Sequence, residues 1–212
     1  MHPQTVRDPR IEPFAILDLR PTQMTIGMHE VEAKRQRWRA VKRTEEFLGK
    51  HLIPVISGPK DRYYIIDHHH LARALYEEGV KNVGVTVVAD LSKLRRADFW
   101  YVMDHKNWVH PYAFGKRYSY DALPKSIDKL EDDPFRSLAG ELRRAGGFSK
   151  ETIPFSEFLW GNFLRRHLDI KEVERDYDRA LKEALELAKS TRADYLPGWC
   201  GPVEEKSYVR KS

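Results

Sequence analysis

The stretch Tyr63-Tyr64-Ile65-Ile66-Asp67-His68-His69-His70-Leu71-Ala72-Arg73-Ala74-Leu75 decides the fold of this chain. Its first four residues are strong β-formers, and the turn formers Gly58-Pro59-Lys60-Asp61 separate them from the β-branched run Ile53-Pro54-Val55-Ile56. That arrangement predicts a hairpin. Asp67 is the expected N-cap of a helix on which Leu71, Ala74 and Leu75 share one face and which Gly79 ends. Three imidazoles therefore stand where a strand gives way to a helix.

Upstream, Ala15-Ile16-Leu17-Asp18-Leu19 predicts a short strand stopped at Arg20-Pro21, and Val31 to Leu48, free of proline and glycine, predicts one solvated helix between Gly27 and Gly49. Downstream, Asn82 to Asp90 is the strongest strand signal, and its valine content predicts burial on both faces. Ser92 is the expected cap of a helix running towards Met103. Asp104 to Pro124, DHKNWVHPYAFGKRYSYDALP, has neither periodicity and reads as an ordered functional loop. Helices are predicted over Pro134–Ala145, Ser156–Leu168 and Lys171–Lys189. The expected organisation is a loose segment over 1–13, an α/β domain over 14–124, a helical subdomain over 125–195 and a flexible tail over 196–212.

A chain of 212 residues, 41% hydrophobic and 11% aromatic, is long enough to bury a sizeable core and too aromatic to be disordered. No apolar run approaches the roughly 18 residues of a membrane span, and the start MHPQTVRDPRIEP lacks a signal-peptide core. A cytoplasmic protein with no membrane partner is the expectation. Cys200, the single cysteine, excludes an internal disulfide and a thiolate zinc cage. The 37 basic and 32 acidic residues leave a formal charge of +5, which permits phosphate-bearing partners, DNA included, without requiring one. There is no Walker phosphate loop, dinucleotide-binding glycine fingerprint or serine nucleophile elbow.

A helix N-terminus favours anions through its exposed amides and dipole, so the histidine turn suits phosphate chemistry. Asp67 can cap the helix, hold a metal ion or orient a histidine there. An ordinary cap flanked by half-exposed histidines accounts for the same residues. Consecutive helical residues point about 100° apart, so at most two of the three imidazoles can act together. A zinc site would need help from Asp104, His105 or His110. Asp104, His105, Trp108 and His110 suit a substrate-facing wall, and equally a histidine-bearing core loop. Lys116-Arg117 beside Tyr118 and Tyr120 can meet a phosphate or a base, although solvated basic pairs are commoner.

YYIIDHHHLARAL resembles the strand-turn-helix of the ParB/sulfiredoxin superfamily, and LDLRPTQMTIGMHEVEAKR resembles its opening strand, Pro-Thr-Gln turn and first helix, particularly in the ParB-like nuclease subgroup. The likeness runs from about residue 15 to 110. It implies a small mixed α/β sheet with helices, here followed by a helical C-terminal part. The motif is most similar to the Asp-Gly-His-His-Arg of the free serine kinases. That match implies catalytic roles for Asp67, His69 and His70, and a base on the substrate hydroxyl at Glu30 or Glu32, with Glu30 placed in the catalytic set and Glu32 facing the substrate. His68 stands for the glycine and Leu71 for the arginine, so His68, Arg73 or Lys34 would have to make the phosphate contacts.

The resemblance further implies ATP or ADP as nucleotide and Mg²⁺ on Asp67, in a phosphotransferase or nucleotide hydrolase acting with an unidentified small-molecule acceptor. A homodimer is left open. Two other readings accompany it: a metal-dependent nuclease using Asp67, His69, Asp104 and His110, and a non-catalytic, partition-type DNA- or nucleotide-binding module. The second lacks a basic helix-turn-helix here. Sulfiredoxin activity is opposed, because its thiolate belongs at the motif and Cys200 is far away in sequence.

Overall fold

The computed structural model describes residues 13–40 and 44–202. Through Asp133 the elements are β1 (Pro13–Ala15), β2 (Leu19–Pro21), β3 (Thr25–Ile26), α1 (Met28–Arg39), α2 (Thr44–Lys50), β4 (Ile53–Gly58), β5 (Arg62–Ile65), α3 (His69–Glu77), β6 (Asn82–Asp90), α4 (Arg96–His105), β7 (Tyr112–Ala113), β8 (Lys116–Arg117) and β9 (Glu131–Asp132). A five-stranded mixed sheet runs in the order β1-β6-β4-β5-β2. The predicted hairpin is β4–β5, antiparallel with Val55 opposite Ile65, and β2 lies parallel to β5 with Pro21 opposite Ile65. The fold is therefore α/β, as the sequence implied.

Side chains alternate across a pleated strand, and β4 and β5 split accordingly. Val55 and Ile65 join a core with Leu19, Val31, Leu71, Ala74 and Leu75, which α1 and α3 cover. Ile56 and Tyr64 join a second core with Phe99, Trp100 and Met103 of α4.

Several local expectations change. Ala15 to Leu19 is not one strand: Ile16–Asp18 forms a 3₁₀ turn between β1 and β2, with the Ile16 amide bonded to the Lys81 carbonyl at 2.9 Å and its side chain buried. The predicted long helix is two, α1 and α2; Trp38 and Phe47 meet edge to face with ring centroids 5.4 Å apart, and Gly49 lies inside α2. Residues 41–43, where the long helix was expected to continue, lie outside the described residues. β6 is not buried on both faces. Val83 and Val85 are buried while Val88 is 50% exposed, because a register shift opposite Val55 and Ile56 inserts one unpaired residue. Ser92 caps no helix; its amide and hydroxyl bond the Asp90 carboxylate at 3.1 and 2.6 Å, and α4 begins at Arg96.

Compact packing divides the chain between Asp133 and Pro134. Ile127 and Leu130 belong to the first core, so the segment after Pro124 continues the first unit. The second unit carries α5 (Pro134–Arg144), α6 (Ser156–His167), α7 (Ile170–Arg175) and α8 (Tyr177–Lys189) around Phe135, Leu138, Trp160 and Phe163. The last predicted helix is broken at Asp176, whose φ of −143° is not helical and whose carboxylate accepts the Arg179 amide at 3.1 Å, starting α8. Ala180, Ala184 and Ala188 form the buried face of α8. The first residues of the expected tail are packed: Leu196 is buried, and the Pro197 carbonyl accepts the Trp160 indole N–H at 2.8 Å. Residues 1–12 and 203–212, the remainder of both expected loose ends, lie outside the described residues. Among those described, no helix is long and apolar enough to cross a membrane.

α1 and α3 are clamped at one end by Glu78, which accepts from Arg35 at 2.7 Å and, through two bonds, from Arg39 at 2.6 and 2.9 Å. The Arg39 bonds, then the Arg35 bond, pull the Glu78 carboxyl down from 4.5 to about 2. A depressed carboxylate pKa contributes stability that is present above the unfolded value and is lost as pH falls through the folded one. The Tm gap between the natural protein and Glu78→Gln should therefore narrow as pH drops from 4.5 towards 2. A gap that stays constant over that window would contradict the clamp.

Candidate phosphate-binding turn at the start of α3

β5 ends at Ile65 and the chain must reverse into α3 within three residues. Asp67 accomplishes part of this, accepting the His68 amide at 2.6 Å, but it is not the N-cap. That position belongs to His68, with φ 64° and ψ 24° and no side-chain cap. The left-handed region favours glycine and is costly for most other residues. His68 thus occupies, in a glycine conformation, the position where the resembling motif has glycine. The first helical bond runs from the Ala72 amide to the His68 carbonyl at 2.9 Å.

The three imidazoles diverge, as helical spacing requires. His68 is exposed and its Nδ1 lies 3.2 Å from the Leu52 carbonyl. His69 is buried and its Nε2 accepts the Thr22 amide at 3.2 Å. His70 Nε2 accepts the Gly27 amide at 3.4 Å, and its Nδ1 faces Glu30 Oε2 at 3.7 Å. An accepting Nε2 places the proton of a neutral ring on Nδ1, which for His70 is the nitrogen beside the carboxylate. Two histidines therefore hold the segment Thr22–Gly27 against the turn. Thr22 adds a 2.6 Å bond from its hydroxyl to the Ile65 carbonyl, and the His110 amide donates to the Thr22 carbonyl at 2.7 Å. Thr25 Oγ1 and Gln23 Nε2 are buried with no hydrogen-bond partner among the described residues.

Residues 13–166 match the family described as "Putative ParB-like nuclease". The chain belongs to this ParB-like nuclease family. A solved structure, protein Atu1540 from Agrobacterium tumefaciens, is 52% identical, with a TM-score of 0.86, and the match covers 92% of this chain and 99% of that one. A search among curated proteins found no match.

In this ParB-like chain the remaining expected site residues divide. Glu30 reaches His70, and Lys34 reaches Glu30 at 3.5 Å. Glu32 instead pairs with Arg35 and Arg39, at 2.8 and 3.7 Å. Arg73 does not replace the missing motif arginine: its guanidinium donates to Glu77 at 2.7 Å and to the Leu130 carbonyl at 2.9 Å, tying down the segment that carries β9. From the aromatic loop His110 is tied to the turn, through Thr22 and a parallel bridge to Gln23. Asp104 lies 4.0 Å from Arg117, His105 stacks on Tyr101 at 6.1 Å, and Trp108 packs against the core containing Tyr64 and Phe99. Burial, reinforced by the charge of Asp104, raises the Tyr120 hydroxyl above its ordinary value.

No group of three or more His, Cys, Asp or Glu side chains is placed to share a metal ion among the described residues. The metal-nuclease constellation of Asp67, His69, Asp104 and His110 is not assembled, because Asp104 follows Arg117 and His69 is occupied by Thr22. Sequence reasoning did not single out Thr22, Gln23 and Thr25, which form a buried polar strip. Its only trace is the Pro-Thr-Gln turn, since polar side chains between two strands ordinarily read as a solvated loop.

Proposed function

We propose that the start of α3 binds the phosphates of a nucleotide, ATP or ADP, and that the protein transfers or hydrolyses a phosphoryl group there. The observation that carries this reading is the His70–Glu30 pair, an imidazole and a carboxylate 3.7 Å apart, set at the N-terminal end of α3. Phosphoryl transfer needs positioning and charge neutralisation more than covalent help. The dipole at the N-terminal end of α3 favours an anion, and Lys34 brings a cation to the Glu30 side. Glu30 is the base towards an acceptor hydroxyl or water, with the His70 Nδ1–H holding the carboxylate in place. Asp67, with one oxygen on the His68 amide, would hold a Mg²⁺ ion riding on the phosphates, where the ion would neutralise charge on the transferring group. The unpartnered Gln23 and Thr25 atoms fit a buried polar ligand group, since such atoms are seldom left unpaired.

The family description supports a second reading, in which the same turn hydrolyses a phosphodiester. It uses the same phosphate contacts and differs in what carries the phosphate.

Calorimetric titration with ATP, ADP and CTP, each with and without Mg²⁺, tests the proposal. At least one nucleotide should bind, and Lys34→Glu and His70→Ala should each weaken it about tenfold or more, roughly 1.4 kcal/mol. Absence of binding by the unaltered protein to all three, or undiminished binding in both variants, would reject it.

A further inference from the structure

A second basic site lies on the α4 side of the sheet. A cleft of about 510 Å³ is lined by five cations, Arg20, Lys60, Arg62, Arg96 and Lys125, against a single acid, Asp121. Asp121 is engaged by Arg96. The other four make no ion pair among the described residues, unlike Arg35, Arg39, Arg95 and Arg144, each of which has a carboxylate within 3.1 Å. Four unneutralised cations around one hollow repel each other, and that repulsion is relieved by a ligand carrying several negative charges. The turn that presents Lys60 is a tight one: Lys60 and Asp61 both have positive φ, the geometry of a hairpin turn that continues strand twist.

Stacking surface continues from this cleft. Tyr120 lines it, lies flat on Trp100 with ring centroids 5.0 Å apart, and carries the Arg117 guanidinium 5.4 Å from its centroid. Arg117 belongs to the β7–β8 hairpin, which bears the exposed rings of Tyr112 and Phe114, while Tyr118 follows it, also exposed. Core formation leaves such rings outside only at a cost, and two on one short hairpin with a third just after it, interleaved with Lys116 and Arg117, make a basic and aromatic strip.

We infer that the cleft and this hairpin bind single-stranded nucleic acid, with phosphates among Arg20, Lys60, Arg62 and Lys125 and bases stacked on Tyr112, Phe114 and Tyr118. Cations that follow a backbone beside aromatic faces that accept any base are the two requirements for holding a single strand. A duplex buries its base faces and offers nothing to the rings. No α3 residue lines the cleft, so the inference does not depend on nucleotide binding at the histidine turn.

Fluorescence anisotropy of a labelled oligothymidylate of about 12 nucleotides, titrated with the full chain at several salt concentrations, tests it. Saturable, salt-sensitive binding is expected. Lys60→Glu combined with Arg62→Glu should weaken it at least tenfold and reduce the slope of log K against log salt by about 1.4, near 0.7 for each phosphate no longer neutralised. Phe114→Ala combined with Tyr118→Ala should weaken it with the slope unchanged. Thermal unfolding of both double variants, and their ATP titration, should match the unaltered protein. The inference is overturned by lack of binding, by binding that the charge reversals leave intact, by equal affinity for a duplex of the same length, or by equally strong competition from inorganic triphosphate.

Discussion

Under the proposed phosphoryl-transfer function, Glu30→Gln should lower nucleotide turnover by about 10²- to 10⁴-fold, the usual contribution of a positioned general base. The substitution keeps the shape of the side chain and removes its charge together with its ability to take a proton. Glu30 sits in the first turn of α1, partly exposed, with Lys34 at 3.5 Å and His70 at 3.7 Å. Partly exposed pairs of this kind contribute about 0–1 kcal/mol to stability, so Tm should shift little. The two measurements together separate chemistry from folding: full turnover in Glu30→Gln would remove the base assignment, and a collapse of Tm would show that Glu30 is structural. Glu32→Gln is the internal control, because Glu32 turns to Arg35 and Arg39 and should leave turnover unchanged.

Trp160→Ala should be the most destabilising single change in the second unit, costing about 3–5 kcal/mol. Trp160 is completely buried, stacks on Phe148 with centroids 4.3 Å apart and meets Phe163 edge on at 5.9 Å. Its indole N–H also satisfies the Pro197 carbonyl, which would be left without that donor. The neighbouring backbone cannot close the cavity readily: a Cβ at Gly161 already would come within 3.3 Å of the Phe135 carbonyl oxygen, so α6 and α5 are in near contact there. Chemical denaturation followed by far-UV circular dichroism reads the loss. A cost below about 1 kcal/mol would mean that this core is able to collapse around the missing ring.

The order of elements was legible where local chemistry decides it. The hairpin of β4 and β5 follows from two β-rich runs around Gly58-Pro59-Lys60-Asp61, and the amphipathic pattern of α3 from Leu71, Ala74 and Leu75 at helical spacing. Element boundaries were less legible where a distant partner decides them. Ile16 leaves the strand because its amide finds Lys81, and Val88 turns outward because β4 imposes a register shift. Asp176 reads as an ordinary helical residue until its carboxylate takes the Arg179 amide and starts a new helix.

The candidate site divides in the same way. The sequence by itself determined the mixed α/β fold, the histidine-bearing helix start and the divergence of its three imidazoles, because strand propensity, helical periodicity and a step of about 100° per residue are local properties. Only the tertiary structure decided which histidine does what. His69 is spent on Thr22, His70 faces Glu30, Arg73 is drawn to the Leu130 carbonyl, and Asp104 is left with Arg117. The basic cleft is likewise tertiary: Arg20, Arg62, Arg96 and Lys125 come from β2, β5, α4 and a loop. No window of sequence contains them together, since hydrogen bonds and fields act through space and ignore chain distance.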